Sequence, residues 1–161
     1  MAVPARMLLL GQVSVGDRVP ELEVEVSATT VVLGALASRD WRPMHHDKDF
    51  AVERAGTPHI FMNTQNQAAW FERFLTDWTG PRGRLGRMRF QMKKPVCPGD
   101  RMALSGVVES IDSDEAGFGW LEIAVQLSAS GEVKTLCTAR ITVPFDESDN
   151  PWDREGEDWR P

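Results

Sequence analysis

The 161-residue sequence predicts an α+β fold in which an antiparallel sheet wraps around one long helix. Three observations predict it. Between about Phe61 and Trp78, the residues Ala68, Phe71, Phe74, Leu75 and Trp78 form one broad apolar face at helical spacing. Behind that helix, apolar and polar residues alternate instead, as half-buried strands require. Short runs of turn residues separate the alternating segments at hairpin distances.

Taken in order, Val15-Gly16-Asp17 reads as a turn and Leu22 to Val26 as a strand. Ala28 to Ala37 places Val32, Leu33, Leu36 and Ala37 at helical spacing, with Ser27 or Thr29 as the N-cap. Asp40 to His46 reads as a loop, because Pro43 biases Arg42 away from helix. Asp47 can cap a short helix ending near Gly56, and Gly80-Pro81 stops the long one. Met88, Phe90 and Met92 alternate with Arg87, Arg89 and Gln91 to give a strand. Met102 to Val108, Leu121 to Leu127 and Val133 to Val143 supply three more. A sheet of this kind leaves free edges, which predicts a dimer.

The length suits one domain with its own core, placed at residues 1–144. Residues 145–161 hold seven acids against two arginines, so they carry −5 of the net −6 and read as an extended acidic tail. Trp152 and Trp159 in that tail are candidates for docking on a partner subunit. Arg82 to Lys94 contains six basic residues and no acid. It reads as a solvated strand face or a contact for a small polyanion, and no recognition motif makes the chain a nucleic-acid binder. Cys97 and Cys137 match no metal-ligand spacing and read as reduced structural thiols. No apolar run is long enough to span a bilayer, and Met7 to Leu10 is too short for a signal-peptide core, so the expected location is cytoplasmic.

The stretch that carries chemistry is Ser38-Arg39-Asp40-Trp41-Arg42-Pro43-Met44-His45-His46-Asp47. A loop can turn the Asp40 carboxylate and the His45 imidazole toward one point, where together they hold a water and exchange protons with it. Histidine suits such work because an ordinary imidazole titrates near neutrality. The plainer reading is a turn acid and a surface histidine. A metal site from His45, His46, Asp47 and the isolated His59 is disfavoured, because adjacent histidines rarely point at one ion.

Within it, the eight residues Asp40 to Asp47 resemble the Asp-x-Asn-Pro-aliphatic-His-x-Asp pattern of MaoC-like dehydratases and (R)-specific enoyl-CoA hydratases, departing at Arg42, where the family usually has Asn. Val15-Gly16-Asp17 and Lys94-Pro95-Val96-Cys97-Pro98-Gly99-Asp100 are similar to two further family turns, so the resemblance covers about residues 13–144. It implies a hot-dog fold and reversible addition of water across a trans-2-enoyl-CoA thioester, with Asp40 and His45 as the catalytic pair. It also implies a backbone N–H at the start of the long helix that holds the thioester oxygen. Here that start, Pro58 to Asn63, lacks the family's glycine, and counting from Pro58 places the donor at Met62 or Asn63.

No cofactor is expected, coenzyme A being part of the substrate. Arg42 would sit near Asp40 or a phosphate, and Arg87 and Arg89 are candidate contacts for the coenzyme A phosphates. The stripe of Met62, Trp70, Phe71 and Phe74 reads first as core and second as the wall of a pocket for a bulky acyl group. The His45-His46-Asp47 variant and Ile60-Phe61-Met62-Asn63 are similar to the small MaoC-like subunits of steroid side-chain hydratases. That similarity implies either a homodimer or a heterodimer with a second hot-dog chain. The alternatives are a non-catalytic acyl-CoA-binding subunit and a hot-dog acyl-CoA thioesterase.

Overall fold

The structure, a computed structural model, describes residues 7–161. Residues 1–6 of the expected 1–144 body lie outside the described residues. Five strands and three α-helices follow the order β1 (Arg18–Glu25), α1 (Ala28–Ala37), α2 (Lys48–Glu53), α3 (Thr64–Thr79), β2 (Arg84–Met92), β3 (Arg101–Ser113), β4 (Gly119–Ala129) and β5 (Glu132–Val143). The strands form one antiparallel sheet in the order β1-β3-β4-β5-β2. The sheet curls until both edge strands, β1 and β2, touch α3.

Alternation decides which side chains meet the helix. Leu121, Ile123, Val125 and Leu127 of β4 and Ala139 and Ile141 of β5 are buried on the α3 side with Phe71, Phe74 and Leu75. Phe90 packs on Phe71 at 5.7 Å between ring centroids. Met62, Phe71 and Phe74 are therefore core rather than pocket wall, and of that stripe Trp70 alone stays at a groove. Burial pushes the Cys137 thiol up to about 12, which leaves it unreactive, and Cys97 is likewise a free thiol.

Ser27 and Asp47 cap their helices as expected, and Asn63 caps α3. Ser27 accepts from Thr30 N, Asp47 from Phe50 N at 3.0 Å, and Asn63 from Asn66 N at 3.1 Å. The second helix ends at Glu53, earlier than the expected stop near Gly56, because Arg54 already serves as its C-cap. α1 and α3 approach closely where Gly34 faces Asn66, whose Nδ2 donates to Thr30 O at 3.1 Å. A Cβ at Gly34 would overlap the Asn66 side-chain amide. Gly34→Ala normally gains about 1 kcal/mol inside a helix. Here overpacking costs roughly 1–3 kcal/mol and wins. The variant is expected to unfold at lower denaturant than wild type; an unchanged or higher midpoint would show that Asn66 moves aside freely.

The acidic segment 145–161, expected to be extended, is folded back on the far side of the sheet from α3. Two 3-10 turns, Pro151–Asp153 and Gly156–Asp158, bring Trp159 onto Phe118 and Trp120 at 5.3 and 5.4 Å. The Arg84 guanidinium lies 3.5 Å over the Trp159 ring and donates to the carbonyls of Pro151 and Arg154. Trp159 thus docks on its own chain, because the outward-facing Trp120 needs an apolar cover that this segment supplies.

Candidate active site

Asp40 owes its position to the way α1 stops. Asp40 N–H donates to Ala35 O at 2.9 Å and Arg39 N–H to Leu36 O at 3.0 Å, with Arg39 left-handed at φ 55°. This paired pattern closes a helix C-terminus and fixes the next residue's direction. Pro43 then opens a 3-10 turn, Pro43–His45, whose end carries the imidazole. His45 is 2% exposed and packs edge-on against Phe61 at 4.9 Å.

His45 Nδ1 lies 2.8 Å from Phe61 O. A carbonyl can only accept, so Nδ1 carries the hydrogen and Nε2 of the neutral ring is left with its lone pair. Nε2 is buried, has no hydrogen-bond partner among the described residues, and faces Asp40 Oδ2 at 3.4 Å. Two acceptors directed at one point are what a water with two hydrogens satisfies.

Asp40 is held from both sides. Arg42 grips it through Nε to Oδ1 and Nη2 to Oδ2, each at 2.8 Å, and Asn63 Nδ2 donates to Oδ2 at 3.1 Å. The Arg42 guanidinium holds the Asp40 carboxyl well below the usual carboxylate range; burial opposes this, and the Asn63 amide adds to it. Asp40 is therefore a carboxylate with little appetite for a proton.

A depressed folded-state pKa contributes stability that is present above the unfolded value and lost as pH falls through the folded one. Arg42 is 60% exposed, so solvent screens its pair with Asp40 and keeps the contribution to stability small. Arg42→Asn is expected to lower thermal stability slightly at neutral pH, with the gap to wild type closing in strong acid. A gap that is the same at both pH values would mean that the ion pair is not its source.

The structure brings Asp40, Arg42, His45 and Asn63 together. Met62 is a correction: its N–H donates to Val96 O at 2.9 Å and is not available to a ligand. Asn63 N–H, at the start of α3, has no partner among the described residues. Arg87 and Arg89 are also placed elsewhere. They alternate with Met88 and Phe90 and so face away from α3, Arg87 pairing with Glu122 at 3.3 Å. Arg89 lines a hollow of about 1120 Å³ on that outer face, remote from the pair.

Ser38 opens the stretch picked out in the sequence but had no role there, and the structure makes it a site residue. Its hydroxyl donates to Gly34 O at 2.8 Å and accepts from Asn63 Nδ2 at 2.8 Å. Ser38 and Gln65 also end an apolar groove of about 560 Å³ between α1 and α3, whose walls include Leu33, Ala69 and Trp70. Among the described residues no group of three or more His, Cys, Asp or Glu side chains could hold a metal ion, and no helix is long and apolar enough to cross a membrane.

Comparison with known proteins bears on the fold and the family. The chain is 34% identical over 98 residues to the 3-oxo-4,17-pregnadiene-20-carboxyl-CoA hydratase beta subunit of Mycobacterium tuberculosis (strain ATCC 25618 / H37Rv), covering 61% of this chain and 75% of that one. Its fold is similar to the ChsH1-ChsH2 complex from the same species, with TM-score 0.75 and 28% identity over 81% of this chain and 98% of the other. It is also similar to the R-hydratase PhaJ1 from Pseudomonas aeruginosa, with TM-score 0.74 and 17% identity over 86% of each chain. These likenesses make the architecture a hot-dog fold. The MaoC like domain family matches residues 13–120, a span that takes in the Asp40 loop, α3 and the start of β4, and the chain belongs to that family.

Proposed function

We propose that this chain is the catalytic subunit of an enoyl-CoA hydratase and adds water reversibly across a trans-2-enoyl-CoA thioester. The observation that carries the reading is the buried, unpartnered His45 Nε2 facing Asp40 Oδ2 at 3.4 Å beside the start of α3. A water donating to both atoms has its lone pair turned outward, toward the Cβ of a bound enoyl group. The thioester oxygen accepts from Asn63 N–H at the helix N-terminus, which draws charge from the double bond and stabilises the enolate-like transition state.

Because Arg42 and Asn63 hold down the basicity of Asp40, His45 Nε2 takes the proton as water oxygen bonds to Cβ. The imidazolium then returns that proton to Cα, so one water is added and the ring ends neutral. Asp40 orients the water and stabilises the imidazolium between the two steps. The reaction uses no cofactor.

The groove between α1 and α3 suits the apolar part of the acyl group, since it ends at Ser38 and Gln65, which contact Asn63. A bulky, steroid-like acyl group fits the similarity to a pregnadiene-carboxyl-CoA hydratase subunit. That relative is a beta subunit, and a solved neighbour is a two-protein complex. A second hot-dog chain is accordingly part of the proposal, and β1 and β2 are the sheet edges open to one.

The test incubates trans-2-enoyl-CoA of short, long and polycyclic acyl type with the chain alone and with a co-expressed second hot-dog subunit. Loss of enoyl absorbance without free thiol is expected. Release of free thiol would make the chain a thioesterase, and neither signal in either mixture would leave it a binding subunit.

A further inference from the structure

We propose that the Asn63 side chain is a positioning residue that ties the Asp40 carboxylate to the start of α3, so that the acid–base pair and the carbonyl-polarising N–H are set by one residue. The inference rests on the hydratase reading of this site and adds to the Asn63 backbone donor a role for its side-chain amide, which touches no reacting atom. Asn63 is 1% exposed. Its Oδ1 caps α3 by accepting from Asn66 N at 3.1 Å. Its Nδ2 points the other way, at Ser38 Oγ (2.8 Å), Asp40 Oδ2 (3.1 Å) and Gln65 Oε1 (3.2 Å).

Capping alone does not require this residue. Ser, Asp and Asn cap a helix about equally well. Among them Asn alone carries its neutral acceptor and its donor on two separate atoms, so it can cap with one and reach another partner with the other; serine has a single oxygen for both. The donor is spent on the acid–base site: Ser38 anchors it to the last turn of α1, whose hydroxyl hydrogen already goes to Gly34 O, and Asp40 Oδ2 takes it directly. Arg42 and His45 are the other charged or titratable groups at Asp40. Arg42 is an exposed side chain on the same loop and moves with it, whereas Asn63 belongs to α3 and ties that loop to the helix.

The separating variants are Asn63→Ser and Asn63→Asp. Serine keeps a capping oxygen, so the thermal midpoint is expected to stay near wild type, but its single short hydroxyl lacks the separate Nδ2 that reaches Asp40. kcat is expected to fall about 10–100-fold, as displacement of a reacting group does, with KM within about 2-fold. Carboxyl-carbon NMR on the same proteins is expected to show Asp40 titrating at higher pH in Asn63→Ser. It is expected higher still in Asn63→Asp, where a second carboxylate faces the first. Asn63→Asp also retains the cap and covers the case in which the serine variant misfolds.

A folded variant with wild-type kcat and an unmoved Asp40 titration would reduce Asn63 to a helix cap and overturn the inference. The NMR arm needs no turnover. If the wild-type protein hydrates nothing, the hydratase reading falls while the Asp40 titration still decides the tether.

Discussion

Asp40→Asn and His45→Gln are each expected to lower hydration of a trans-2-enoyl-CoA by about a thousand-fold while leaving the fold intact. Asparagine matches the aspartate in shape but turns one of the two acceptors at the water position into a donor or a neutral carbonyl. It also removes the charge that would stabilise the imidazolium. The structural cost is small, because the released Arg42 is 60% exposed and is solvated at once. Glutamine at position 45 can still donate to Phe61 O, but it offers no basic nitrogen at the place of Nε2. The measurement is kcat by loss of enoyl absorbance, with the second subunit present, alongside a thermal midpoint for each variant. Full activity in either folded variant would move the chemistry to the partner chain and leave this one a binding subunit.

Much of this site can be read in the sequence, and the parts that cannot have physical reasons. The Asp40–His45 spacing, the proline between them and the helix stop before Asp40 are local features, and local hydrogen bonds build them. The sheet was legible for the same reason: alternation in Leu121 to Leu127, or in Met88 and Phe90, states directly which face is buried, although Met92 at the end of β2 runs past the core and is exposed. That alternation also held what turns Arg87 and Arg89 away from the α3 side of the sheet. Residues interleaved with Met88 and Phe90 must leave the sheet on the side opposite α3, whatever their charge.

Long-range pairings were not legible. The choice between Met62 and Asn63 as donor turns on whether Met62 N–H is spent on Val96 O, a bond across 34 positions of sequence that no local pattern announces. The Asn63 amide reaches Asp40 across 23 positions in the same way, and the sequence offered Asn63 only as a candidate backbone donor, with no role for its side chain. Fold and pair are written in local periodicity and turn chemistry, whereas the oxyanion donor and the tether depend on how α1, the loop and α3 are packed.

The acidic segment makes the same point on a larger scale, and it carries the largest expected effect on stability. Its composition reads as extended, since acids, prolines and two isolated tryptophans show no period. What folds it is a surface supplied by other strands. Phe118 and Trp120 have no exposure while Trp159 covers them, and Arg84 sits between Trp159 and two carbonyls. Arg82 donates to Glu147 O at 2.6 Å and Asp149 O at 2.9 Å, and Pro161 lies against Gly86.

A chain cut after Pro144 loses two aromatic contacts at about 0.5–1.5 kcal/mol each and a close cation–π contact of about 1 kcal/mol. It also exposes two large aromatic rings to water. Shedding five negative charges works the other way, but at physiological salt exposed like charges repel weakly. The packing term is the larger, so the cut chain is expected to melt about 5–15 °C below the full one and to aggregate through the bared Trp120 face. The acid–base pair stands at the N-terminal end of α3, while Arg84 and Gly86 follow its C-terminal end. Activity per folded molecule below the melting range is therefore expected to stay within about 2-fold of wild type, since no distance at the pair changes. Differential scanning calorimetry at low protein concentration, paired with the hydration assay, checks both halves. Equal midpoints would show that the segment contributes nothing to the fold, and a loss of activity without a loss of stability would place it in the chemistry instead.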